Sequence, residues 1–291
     1  MMETLLAFCR FAHFASAMAL FGSIAFVVAL APGNLALALA PAVRRIAAVA
    51  IPIAAVSAVG WLALEGGSMT DSWGGAIDLG VLQGVLTDTD FGWVWQGRLL
   101  LALALVVALA LRRHGPTPLT LASGLLLASL GLVGHAAMQP GTLGALHRAN
   151  HAVHLLATAA WVGGVPIFVL CLKAFGNPDL RADAIRAMRR FSFWGQFDVA
   201  LVVLTGVVNI ALTSGFGALA PTTPYRALLE MKLALVAMMI AIALVNRYVL
   251  APRLKSSAAG SRTLIKTSVA EVALGGAVVA LVSAFALLDP F

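Results

Sequence analysis

Six histidines stand out in a chain of 291 residues that is 61% apolar and only 11% charged. An imidazole inside an apolar helix is costly, so it serves as a ligand, a proton carrier or a hydrogen-bonded core group. His147, His151 and His154 are spaced i, i+4 and i+7, which places them on one face of an α-helix that Thr158 and Trp161 continue. His135, in GHAAMQPG, precedes that helix, and the short connection from Met138 to Leu146 holds it near the start of the face. A ladder of neutral imidazoles suits a transition-metal site or entry path. Met138 adds a thioether three residues after His135, and soft sulfur beside imidazole favours copper over magnesium or calcium. His13, flanked by Phe11 and Phe14, fits a ligand and a core histidine bonded to a neighbouring carbonyl equally well. His147 fits equally a ligand and a residue of the polar interface.

The same residues admit a second chemistry. Two imidazoles from separate helices at one depth can ligate the iron of a b-type haem, so bis-histidine ligation competes with a copper site. Two acids lie within apolar segments, Asp198 and Glu271. Each is either an ion or proton relay or the partner of a nearby cation, Arg190 and Lys266 respectively. Arg98, Glu230 and Lys232 either orient outer ligands or anchor at headgroups. Cys9 and Cys171 have no metal-ligand spacing and read as small buried hydrophobes. There is no GxxxxGK[ST], HExxH, GxSxG or CxxC motif, so we expect no enzyme and no nucleotide-driven pump.

The elements that position these groups are membrane helices. Runs of roughly 20 apolar residues predict eight spans, at about 4–31, 43–65, 91–113, 117–138, 145–175, 182–214, 224–251 and 263–288. The fold class expected is therefore all-α, a single polytopic domain over 1–291. Unbroken apolar runs exclude a β-barrel, whose strands alternate. The first run carries Glu3, has no Lys or Arg before Arg10, and continues past Ala31, which marks a span and not a cleaved signal peptide. Between the second and third spans, 66–90 holds Asp71, Asp78, Asp88 and Asp90 without Lys or Arg, with a short interfacial helix expected around Ala76–Leu86.

Of the 19 Lys and Arg residues, 14 fall in the odd-numbered connections. The positive-inside rule makes those connections cytoplasmic and turns both termini and the acidic stretch outward, to the periplasm in a bacterial inner membrane. The net charge of +7 is thereby an orientation signal and needs no nucleic acid partner. His114, in the basic RRHG loop, is then cytoplasmic, and the other five histidines lie in the outer half. A parallel 4+4 repeat is also expected, with halves 1–138 and 139–291. His13 precedes Gly22 by nine residues, as His154 precedes Gly163, and Arg98 opens the third span as Lys232 opens the seventh. Gly163 and Gly164 are small enough for close helix packing.

GHAAMQPG, HRANHAVHLLATAAWVGG, RRFSFWGQF, TGVVN with Asn209, YRALLEMKLAL and LVNRYVLAPRL occur in that order, and the chain resembles the copper resistance D (CopD) family of bacterial inner-membrane proteins. The resemblance covers nearly the whole chain and is strongest from about Gly134 to Leu254. It implies an eight-helix protein of copper homeostasis, either a carrier of Cu(I) or Cu(II) toward the cytoplasm or a copper-binding delivery protein without transport, with a separate periplasmic CopC-like protein as donor. Carried over by motif, His135, His151 and His154 are the expected ligands, with Trp161, Gly163 and Gly164 as support.

Overall fold

Every described element is helical, and the reason is the apolar composition: where water is excluded, backbone groups must be satisfied within the segment itself. The computed structural model describes residues 1–111, 115–214, 223–255, 258–285 and 288, with the side chains of His135, Ala136, Ser214, Leu254, Lys255, Ala258, Ala259 and Phe285 outside that description. The expectations for Arg112, Arg113, His114 and the His135 side chain therefore lie outside the described residues. In chain order the helices are α1 (Met2–Leu30), α2 (Gly33–Met69), α3 (Leu79–Asp88), α4 (Asp90–Leu111), α5 (Pro116–Ala128), α6 (Gly141–Ala174), α7 (Pro178–Ser214), α8 (Pro224–Val245) and α9 (Ala258–Phe285). Among the described residues, seven of these are long and apolar enough to cross a membrane.

Two boundaries differ from the expected ones. The second helix begins ten residues early, because only Ala31 and Pro32 separate it from α1 and its first turns bury Leu35 and Leu39 against Ile167, Cys171 and Leu264. The expected fourth span is short. α5 ends at Ala128, tightens into a 3-10 turn over Ser129–Leu132, and rises about 27 Å from Pro116, just under the roughly 30 Å of a bilayer core. Its stop has a cause: a Cβ on Gly131 would sit 2.8 Å from Arg148 O on α6, and Gly134 follows with φ +74°. The acidic stretch holds α3, whose N-cap Asp78 accepts from Gly80 N at 2.7 Å.

α1 is the central element and touches α2, α5, α6, α7 and α9. It runs alongside α6 in the same direction: Phe14, Ala17 and Met18 pack with Leu155 and Ala159, while Phe26 packs with Ile167 and Cys171. The two helices touch backbone to backbone at Gly22 and Gly163. A Cβ on Gly22 would strike Ala159 O, and one on Gly163 would strike Met18 O, so each glycine rests on the carbonyl four residues before its counterpart. Ser23 Oγ seals the crossing by donating to Gly163 O at 3.3 Å. α4 packs on α2, whereas α8 packs mainly on α9. A cavity of about 730 Å³ fills the space bordered by α6, α7, α8 and α9.

Candidate metal centre

α6 holds the predicted histidine face, and α7 supplies its partners. Thr205 on α7 has its hydroxyl committed as a donor to Leu201 O, so it accepts from His154 Nδ1–H at 2.9 Å. The proton on His154 is thereby held at Nδ1 and the lone pair at Nε2, the tautomer that a metal requires. Thr158 Oγ1 donates to His154 O at 2.7 Å. The His151 and His154 rings lie nearly parallel, 10° apart with centroids separated by 6.2 Å.

His151 is held differently. Asn150 Nδ2 donates to Thr205 O at 2.9 Å and to Asn209 Oδ1 at 2.8 Å, which fixes both amides. Asn209 must then present its NH2 group, and Nδ2 donates to His151 Nδ1 at 3.2 Å. Asn209 thus occupies the single lone pair of a neutral His151, and the ring carries its proton at Nε2. His147, at the top of the face, is 1% exposed and donates from Nδ1 to Gln139 Oε1 at 3.2 Å. Gln139 in turn donates to Leu212 O at the end of α7. His147 is therefore packed within the protein.

His13 stands apart from this group, on α1 among α2 and α4. It is fully buried, and Nδ1 donates to Ala54 O at 3.1 Å and to Ser57 Oγ at 3.0 Å. Ser57 Oγ donates to Ile53 O at 2.6 Å. Arg98, 1% exposed, donates through Nη2 to His13 Nε2, and through Nη1 to Leu126 O at 2.7 Å and to Ser129 Oγ. Guanidinium has no acceptor, so both His13 nitrogens are engaged and none is open to a metal. Trp95 lies under Arg98 at 4.9 Å, and Arg10 lies over Trp61 at 4.7 Å. Arg98, expected at a headgroup or an outer ligand site, is instead a core cation held through its two Nη atoms by a carbonyl, a hydroxyl and an imidazole and by a ring face, while its buried Nε has no hydrogen-bond partner.

The two arrangements match residue by residue. His154 meets Thr205 as His13 meets Ser57, and both hydroxyls donate to carbonyls three and four residues before them. Asn150 donates to Thr205 O as Cys9 donates to Ser57 O, the latter at 3.1 Å. His151 meets Asn209 one turn beyond Thr205, as Arg10 meets Trp61 one turn beyond Ser57. Arg98 and Lys232 are each the ninth residue of a 22-residue helix. In the first arrangement the cation, Arg98, bonds His13 Nε2 directly.

Other expected residues have separate places. Trp161 is 4% exposed and forms part of the cavity wall. Gly164 leaves room for Phe191, whose ring a Cβ there would meet at 2.8 Å. Met138 is 62% exposed. Asp198 is half-buried on α7, and among the described residues no ion pair joins it to Arg190 or joins Glu271 to Lys266. Glu271 instead accepts from Asn246 Nδ2 at 2.7 Å. No described histidine stands in the wall of this cavity, so nothing in it supports haem ligation. Among the described residues, no three His, Cys, Asp or Glu side chains gather at one metal position, and the His151 and His154 rings stand side by side as a pair.

Thr205 and Asn150 were not among the residues singled out in the sequence. Their signal was present: Thr205 and Asn209 in TGVVN stand at i, i+4, a polar pair on one face of an apolar helix.

Residues 1–145 match the family described as copper resistance protein D-like, N-terminal domain, and residues 185–285 match copper resistance protein D. The chain is 37% identical over 287 residues to inner membrane protein YebZ of Escherichia coli (strain K12), covering 97% of each. It is 31% identical over 177 residues to copper resistance protein D of Pseudomonas syringae pv. tomato, covering 58% of this chain and 56% of that one. To copper transport protein CutJ of Bacillus subtilis (strain 168) it is 34% identical over 148 residues, covering 47% of this chain and 26% of the relative. No solved structure matches. With end-to-end similarity to one relative and both halves matched in order, the chain belongs to the copper resistance D (CopD) family.

Proposed function

We propose that this chain is a multi-pass inner-membrane copper carrier, without catalytic activity of its own, that takes copper at His151 and His154 and passes it toward the cytoplasm. The observation that carries this reading is the Thr205 bond to His154 Nδ1, which leaves the Nε2 lone pair for a ligand on a ring that lies parallel to that of His151. A hydrogen bond to the far nitrogen of a ligating imidazole raises its basicity and fixes the ring's orientation. His135, His147 and Met138 stand ahead of the pair as entry ligands, supplied by a separate CopC-like periplasmic protein. Inward of it the route runs along the α6 face to Trp161 and the cavity below, and not to His13, whose nitrogens are engaged.

The membrane arrangement that serves this route has eight crossings, with α5 and its 3-10 extension as the short one, both termini outward, and α3 in the outer interface. Halves 1–138 and 139–291 form a parallel repeat about the Gly22–Gly163 crossing, supported by the matched His13 and His154 arrangements. Replacing His151 and His154 together with Ala, in cells that depend on this chain for copper, abolishes copper accumulation while the protein remains at normal level in the membrane. Unchanged cellular copper in that variant overturns the transport reading.

A further inference from the structure

Glu271 is an intramembrane carboxylate that the copper pair does not use. It is 5% exposed on α9 and opens onto the 730 Å³ cavity, whose wall also holds Asn246 and Ser268. Three observations set this corner apart from a packed core. Asn246 opens a π-helical turn, Asn246–Leu250, at the end of α8, a distortion that recurs at functional sites. The Asn246 side chain is clamped between Glu271 Oε2 at 2.7 Å and Thr267 Oγ1, which donates to its Oδ1 at 2.6 Å. Ser268, one turn before Glu271, is 1% exposed, and its hydroxyl lines the same cavity with no hydrogen-bond partner. A buried orphan hydroxyl beside a buried carboxylate costs free energy until something binds both.

The donors are a carboxylate and a hydroxyl, with an amide that holds the carboxylate in place. Oxygen donors of this type suit a hard cation and are poor hosts for soft copper. One carboxylate compensates one positive charge, which selects a monovalent ion. The other charged groups facing this space are Arg189 on α7 and Arg247 beyond α8. Arg247 is tied to Ser192 of α7, with Nη1 donating to Ser192 Oγ at 2.7 Å, and Arg189 is exposed, so neither neutralises Glu271. α6 contributes only apolar and aromatic side chains to the wall, Trp161, Val165 and Phe168.

We propose that Glu271, with Ser268 and the clamping Asn246, is an inner-side binding site for a hard monovalent cation, a proton or Na⁺, whose occupancy sets the rate of copper passage. The link to copper rests on the carrier reading above; the cation site itself does not. An empty carboxylate draws the incoming copper ion down the α6 face past Trp161. An occupied one is neutral and removes that attraction.

The test uses the full chain in vesicles of phosphatidylethanolamine and phosphatidylglycerol. Copper(I) chloride under ascorbate is supplied outside, and lumenal pH and lumenal NaCl are varied separately. Wild-type uptake slows about tenfold as the lumen is acidified if the ion is a proton, or as lumenal Na⁺ is raised if it is sodium. Glu271→Gln is insensitive to both, while Glu271→Asp retains the response, and copper bound at the outer histidines is unchanged in each. Infrared difference spectra provide a readout without copper: a carboxyl band titrates with pH, or shifts with Na⁺, in wild type and is absent in Glu271→Gln. Equal responses and equal bands in wild type and Glu271→Gln overturn the proposal. Absence of copper uptake by wild type, with the carboxyl band still responding, overturns the carrier reading and leaves the cation site standing.

Discussion

Arg98 donates a hydrogen bond to Nε2 of His13, whose Nδ1 is bonded to Ser57 as His154 Nδ1 is bonded to Thr205. A guanidinium cannot be displaced from such a place cheaply, because it is buried, stacked on Trp95 and bonded to Leu126 O. The His13 and His154 arrangements match, and on the proposed function Arg98 takes at His13 the place that copper takes at His154.

His13 is accordingly structural. His13→Ala strands the Arg98 guanidinium and lowers stability by about 3 kcal/mol, read as a fall in thermal midpoint in detergent. The number of copper ions bound per chain is unchanged. Loss of one copper from His13→Ala, with the fold intact, contradicts the assignment. Arg98→Lys does not rescue the stability of the first half, since an ammonium lacks the fork that reaches Leu126 O and His13 together.

Thr205 acts through His154. Thr205→Val removes the acceptor that holds the proton on Nδ1 and frees the ring to adopt either tautomer. Copper affinity falls about tenfold or more, within the range seen for outer-shell partners. Thr205→Ser restores it. Isothermal titration with a competing chelator measures both, and equal affinity in wild type and Thr205→Val contradicts the role.

Asn209 presents an NH2 group to His151 Nδ1 and so holds that ring in the tautomer less suited to ligation through Nε2. Asn209→Asp reverses the polarity: a carboxylate accepts from Nδ1–H and still accepts from Asn150 Nδ2. Copper binding tightens about tenfold. Weaker binding in Asn209→Asp shows that His151 ligates through Nδ1 instead.

The Gly22–Gly163 crossing joins the halves by backbone contact, with no side chain that can yield. Gly163→Leu forces α1 and α6 apart at a cost of about 3 kcal/mol and broadens the monomer peak on gel filtration. Gly276, with open space around it, accepts Ala without loss.

The histidine face was legible in the sequence, because a helical period survives in one dimension, and Asn209 was marked by the family resemblance; the contact of Gly22 with Gly163 was not, since it depends on how α1 packs on α6. The fate of Arg98 was not. Hydropathy places a cation near a helix end but says nothing about the carbonyl, imidazole and indole that converge on it from α5, α1 and α4 itself. Glu271 likewise has Lys266 nearby in sequence, yet its partner is Asn246, set by the packing of α8 on α9. The short α5 was hidden because its apolar run continues past the point where Gly131 meets α6.

The central claim is that copper is held by the His151 and His154 imidazoles. Copper K-edge X-ray absorption on the purified chain loaded with one equivalent of copper(I) tests it directly. The account predicts imidazole scattering in wild type that disappears in the His151→Ala/His154→Ala variant and persists in His13→Ala. Imidazole scattering retained in the double variant, or lost in His13→Ala, would contradict it.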